Sequence, residues 1–183
     1  IETINCDLLI EEERENTFNY ILQGNTKIDG IIHNAAIDPR NSIEKTTMAF
    51  LHKVFAVKFD TAIHVVQKLL PLLKNSNSGR IILMGSVTNE LGVSSLSAYA
   101  SANAAISGLT RTLAHELGEF NITVNCINPG AIAVEKNIDN LNSVNCKAVV
   151  DSQSIAKQIY PEDIMGLLCL LLSVSSSCIT GQN

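Results

Sequence analysis

The residues of this 183-residue chain that could do chemistry gather around one stretch. Ser86 follows the apolar run RIILM. Tyr99 lies thirteen residues later, at the head of the Ala-rich segment YASANAAISGLTRTLAHEL. Taken singly, Ser86 reads as a strand-end cap and Tyr99 as an amphipathic packing residue. Other chemistries lack their spacing. No GxGxxG and no GxxxxGK(S/T) occurs, so the sequence contains no phosphate-cradling loop. GSV at Gly85 is not a GxSxG elbow, and HELGE at His115 is not HExxH. His33, His52 and His64 have no ligand partners at metal-binding spacing. The five cysteines are odd in number and never spaced CxxC, which argues against a disulfide framework or a zinc site. Most of them read as buried thiols in a reducing cytosol.

Composition removes further classes. Thirteen Lys and Arg against eighteen Asp and Glu give a net charge of −5, with no basic block to neutralise a phosphate backbone. Aromatics are 4% and Trp is absent, so bases would find no stacking platform. Hydrophobic residues at 46%, charged residues at 17% and a mean hydropathy of +0.20 indicate a folded, aliphatic core. The longest apolar stretch, Ile164 to Val174, is about half of the ~20 residues a membrane span needs. No signal-like run opens the chain. The expectation is a cytoplasmic protein that binds neither nucleic acid nor membrane.

Stepping along the chain, apolar runs alternate with helical patterns. Thr3–Cys6 reads as a strand end, Glu11–Leu22 as a helix and Ile28–His33 as a buried strand. Thr46–Leu73 reads as one long helix, Arg80–Met84 as a strand, and Ser97–Leu117 as a helix with Gly118 as its C-cap. Ile122–Ile127 reads as a strand and Pro161 to about Leu172 as the last helix. Alternation of this kind implies βαβ units and a mostly parallel sheet with helices on both faces. Ligands of such sheets bind beyond the carboxyl ends of the strands. That places interest on Asp7, Asn34-Ala35-Ala36, Ser86 and Asn128-Pro129-Gly130.

Five segments, in order, resemble the short-chain dehydrogenase/reductase family. INCDLL is similar to its D-V/L strand end, and IDGIIHNAA to its N-N-A-G strand end. Ser86 with Tyr99 fits its Ser and Y-x-x-x-K pair. ELGEFNITVNCINPGAI fits its ELG-x-x-x-I-x-V-N and PG-x-I turn, and SSSCITGQ its S-x-x-x-x-I-T-G-Q. The resemblance implies a Rossmann-like doubly wound parallel sheet in three α/β/α layers. It also implies NAD- or NADP-dependent hydride transfer to or from a small carbonyl or alcohol substrate. Tyr99 would exchange the proton of the substrate oxygen and Ser86 would hydrogen-bond that oxygen. Asp7 would contact the adenine. Asn34 and Ala35 would lie against the adenosine, and Pro129, Gly130 and Ile132 against the nicotinamide. The stretch 134–160 would form a substrate lid, and the long helices at Thr46 and Ser97 the faces of a homodimer or homotetramer. Asp7 could instead cap the turn before the Glu11 helix, and Asn34 could be a plain turn residue.

The departures from the pattern are specific. Asn103 stands where the family has the Lys of Y-x-x-x-K, on the same helical face as Tyr99. An ammonium about 5 Å away at an effective dielectric of about 20 would be worth roughly 3 kcal/mol, or about 2 pKa units on the phenol. Lys58 stands where the preceding helix usually carries Asn, nine residues before Gln67. The two residues look exchanged. Either Lys58 reaches the proton-relay position from the neighbouring helix, or the chain is a catalytically impaired member that binds a nucleotide or a partner. Val134, Ala36 and His33 also depart from the pattern. In the family's sheet order, 3-2-1-4-5-6, residues 1–183 would form a single but partial domain. It would lack strands one and two with their phosphate loop, roughly 50 residues by the size of a βαβ unit, and the last strand.

Overall fold

The structure, a computed structural model, describes residues 1–37, 40–133 and 144–183. Two five-residue runs, Arg80–Met84 (β2) and Thr123–Ile127 (β3), are buried at every position. Strands buried at every position turn neither side to water, so they sit in a sheet covered on both faces. Gly30–His33 (β1) completes a parallel sheet of order β1-β2-β3 among the described residues. Gly30 pairs with Arg80, and Arg80 with Thr123.

Alternate residues of the strands face different layers. Ile31, Ile81, Leu83, Val124 and Cys126 pack with Ala62, Val66, Leu73, Ile106 and Ala114. Those residues lie on α3 (Thr61–Lys74) and α4 (Ser97–Leu117), with Phe18 of α1 (Glu11–Gly24) behind them. Ile82, Met84 and Ile127 point the other way, onto Leu171 of α6 (Pro161–Leu172). Each fully buried Leu or Ile contributes about 1.5–3 kcal/mol by leaving water. The result is the doubly wound, three-layer α/β/α architecture.

The local expectations hold for β2, α4 and α6 to the residue, β1, β3 and α1 shift by one or two residues at one end, and two segments differ outright. Thr3–Cys6 is not a strand. A strand requires a ladder partner, and these residues have none among the described residues. The long helix is not continuous. It runs as α2 (Met48–Phe55), a π-helical turn (Ala56–Asp60) and α3. It begins two residues later than Thr46, where the Thr47 hydroxyl caps Phe50 N at 3.2 Å. Gly118 is the C-cap of α4 as expected, with a right-handed φ of −59° that leads into a 3-10 turn, and Asn121 takes the positive φ of 56°. Asn is among the few residues that tolerate that region.

Of the stretch 134–160, residues 134–143 lie outside the described residues, including Val134, Asn137, Asn140 and Asn142. Beyond them come a short helix α5 (Val144–Asp151) and a parallel bridge from Ile132 to Ile159.

Candidate active site

The site is built from the loops that follow the three strands. After β2, Gly85 N donates to Ile127 O at 2.7 Å and Val87 N to Pro129 O at 3.2 Å. These two bonds tie the Ser86 loop to the Pro129-Gly130 turn after β3. The approach is close enough that a Cβ on Gly85 would fall 2.0 Å from Asn128 Oδ1 and 2.8 Å from Cys126 Sγ. Only glycine fits there. Asn89 Nδ2 donates to Ser107 Oγ of α4 at 2.9 Å, so the same loop is also anchored to the helix that carries Tyr99.

Ser86 caps the 3-10 turn Val87–Asn89. Its Oγ accepts from Thr88 N at 3.3 Å and from Thr88 Oγ1 at 3.0 Å. Both are incoming bonds, which leaves its own proton available to a ligand oxygen. Tyr99 is half-buried in the first turn of α4.

Asn103 is fully buried, its Nδ2 donating to Tyr99 O at 2.9 Å. Its Oδ1 is buried without a partner. This amide stabilises its own helix turn and brings no charge to Tyr99.

Lys58 lies in the π-helical turn, 2% exposed, and its Nζ donates to Met84 O at 2.5 Å. The extra residue of a π turn swings a side chain off the regular helical stripe. Here it aims the ammonium at the carboxyl end of β2. Burial pushes the Lys58 ammonium down from 10.5 to about 8. Burial also pushes the neighbouring Cys126 thiol up from 9.0 to about 11, against the opposing pull of Lys58. His33, whose Nε2 meets Thr61 Oγ1 at 2.9 Å, falls from 6.5 to about 4, by burial first and by the Lys58 charge second. At neutral pH, then, Lys58 is a cation between a neutral imidazole and a neutral thiol.

Thr61 donates to Val57 O at 2.5 Å, so its oxygen accepts from His33 and leaves His33 Nδ1 as the buried, unpartnered acceptor. Thr61 belongs to no sequence motif, and the IIHNAA and NCINPG segments that contain His33 and Cys126 do not by themselves place them beside Lys58. All three belong to this cluster because the register of three strands and the π turn bring them together.

The other expected residues divide. Pro129 and Gly130 are half-buried beside the Ser86 loop, and Ile132 is joined to Ile159 through the bridge. Asn34 and Ala36 are exposed just past β1, with Ala35 half-buried between them. Asp7 is exposed in the turn before α1. Its Oδ1 accepts from Leu9 N at 2.9 Å, and its own N donates to Glu13 Oε2 at 2.6 Å. That is the turn-capping role weighed against adenine contact.

All 183 residues match the family model described as enoyl-(acyl carrier protein) reductase. The chain belongs to the short-chain dehydrogenase/reductase family. D-xylose 1-dehydrogenase of Caulobacter vibrioides is 30% identical over 97% of this short-chain dehydrogenase/reductase chain and 70% of its own. L-rhamnose 1-dehydrogenase (NADP(+)) of Thermoplasma acidophilum is 25% identical over 85% of this chain and 62% of its own. The crystal structure of NAD+-bound xylitol dehydrogenase superposes with a TM-score of 0.87 at 25% identity, covering 97% of this chain and 75% of that one. Family membership makes it an oxidoreductase fold with dehydrogenase relatives, and it agrees with the parallel sheet described above.

Proposed function

We propose that this chain carries the substrate-side half of an NAD(P)-dependent dehydrogenase or reductase acting on a small carbonyl or alcohol. Relatives named for xylose, rhamnose and xylitol support a polyhydroxylated substrate. The observation that carries the reading is the double tie of the Ser86 loop, to Pro129 on one side and to Ser107 of α4 on the other. It supports Ser86 and Tyr99 facing one cleft. Ser86 holds the substrate oxygen through its free proton, and Tyr99 exchanges a proton with that oxygen.

A nicotinamide dinucleotide suits the donors present. The strand-end backbone at Asn34-Ala35-Ala36 is open to an adenosine, and the Pro129-Gly130 turn borders Ser86 for the nicotinamide. The bound cofactor supplies or accepts the hydride. Lys58 acts as a positioning residue, holding the β2 end from below. The free thiols of Cys6, Cys126, Cys169 and Cys178 fit a reducing cytoplasm, and α2 and α4 are the faces offered for a homodimer or homotetramer. The buried amide of Asn103 favours one second reading, a member that binds nucleotide or partner without turnover.

Thermal shift with NADH and NADPH, followed by turnover on a panel of sugars, polyols and ketones, tests both. Binding with turnover supports the enzyme. Binding without turnover, unrestored by Asn103→Lys, overturns it.

A further inference from the structure

At the opposite end of the sheet from Ser86, a cavity of about 460 Å³ opens beside the first residues of β2 and β3. Its lining includes Arg80, Ser78, Asn121, Thr123 and Ser177. Arg80 is 2% exposed, yet it forms no ion pair with any described carboxylate. Its Nε donates to Ser173 O at 3.2 Å and its Nη1 to Gly79 O at 3.0 Å. Both acceptors are neutral carbonyls. Asp29, whose carbonyl accepts from Arg80 N, commits its carboxylate to Ser76 at 2.6 Å and Lys27 at 3.1 Å.

A buried guanidinium without a countercharge is costly, and it is stabilised most by an anion that takes its remaining N–H groups. Arg80 Nη2 has no described protein partner. The side chains of Ser78, Asn121, Thr123 and Ser177, which line the same cavity, also make no hydrogen bond to the described protein, so neutral donors share the cavity with the cation. A tetrahedral oxyanion carries the countercharge that Arg80 lacks and spreads its oxygens toward hydroxyl and amide donors on several sides of the cavity.

We propose that this cavity is a binding site for a phosphate group, with Arg80 as its charged anchor. The site is distinct from the cleft at Ser86, since Arg80 and Met84 are opposite ends of one strand. Its ligand is either free inorganic phosphate or the phosphate of a small metabolite.

The test is thermal shift and 31P line broadening with inorganic phosphate and with a sugar monophosphate, against sodium chloride at matched ionic strength. Val174 lines the same cavity and is 72% exposed, so Val174→Asp places a carboxylate beside Arg80 without disturbing the core. Phosphate should raise the melting temperature of the natural chain. Val174→Asp should weaken the response at least tenfold, and NAD(P)H added to the natural chain should leave it intact. A tighter response to the sugar phosphate identifies the metabolite as the source, and equal responses identify the free ion. No response to either, or a response that Val174→Asp and Arg80→Gln both retain in folded protein, overturns the site. A response abolished by NAD(P)H would place phosphate in the dinucleotide cleft and also overturns it. These outcomes are independent of whether any substrate is turned over.

Discussion

The Lys58 ammonium donates a 2.5 Å hydrogen bond to the carbonyl oxygen of Met84, the last residue of β2. Gly85 and Ser86 follow at once, so a buried cation in the π-helical turn sets where the Ser86 loop leaves the sheet. Asn103, on the next helix, is engaged with the Tyr99 carbonyl instead. The exchanged pair therefore performs two separate structural tasks.

That separation can be measured. Lys58→Asn should leave Met84 O unsatisfied at a cost of about 1–3 kcal/mol, and Asn103→Lys should place a second cation in a fully buried position at a cost of several kcal/mol. The double variant should lose close to the sum of the two single losses, because the two side chains hold different carbonyls. Urea denaturation of all four proteins checks this. A double variant markedly more stable than that sum would show that one ammonium replaces the other.

If Tyr99 exchanges the substrate proton, Tyr99→Phe should lower kcat by about 10²–10⁴-fold. The melting temperature should hardly change, since the phenol hydroxyl has no hydrogen bond to the described protein. Ser86→Ala should lower activity too, with a small loss of stability from the cap to Thr88. Full activity in Tyr99→Phe would remove Tyr99 from the chemistry.

The buried bases set a pH dependence. His33 has a folded pKa of about 4 against 6.5 in the open chain, so the folded state binds fewer protons between those values. The stability this confers is complete above pH 6.5 and is lost as pH falls toward 4, by roughly 3 kcal/mol at most. Lys58, lowered from 10.5 to about 8, acts in the same sense on the alkaline side, and stability rises as pH climbs between those values. His33→Asn should flatten the acid limb of a pH–stability curve and Lys58→Met the alkaline one. An acid limb unchanged in His33→Asn would assign it to other groups.

Gly85→Ala tests the packing of the strand ends. The added methyl would overlap Asn128 Oδ1 and Cys126 Sγ, so a loss of about 1–3 kcal/mol or more is expected. Pairing it with Asn128→Ala should recover part of that loss, because the closest obstacle is removed. Calorimetry of the two variants decides, and no recovery would show that the Cys126 contact dominates.

Much of this protein was written in local pattern. RIILM and TVNCI are short, β-branched and mainly aliphatic, as strands covered on both faces are, and both form where expected with every position buried. The α4 helix follows its Ala-rich composition to the residue, and Pro161 starts α6 as its fixed φ favours. The hydroxyl pair and the Asn103 and Lys58 departures were also legible, because side-chain type and spacing are properties of the chain alone.

Tertiary contacts decided the rest. Nothing in the Thr46–Leu73 periodicity signals a π turn, yet that turn directs Lys58 inward to Met84, 26 residues away. Thr3–Cys6 has strand composition and no strand, because a ladder needs a neighbour. Ser86 and Tyr99 were always thirteen residues apart. What the sequence alone could not set is the frame between them. It rests on Val87 to Pro129 and Asn89 to Ser107, contacts across separate elements whose formation depends on the whole sheet closing over its core.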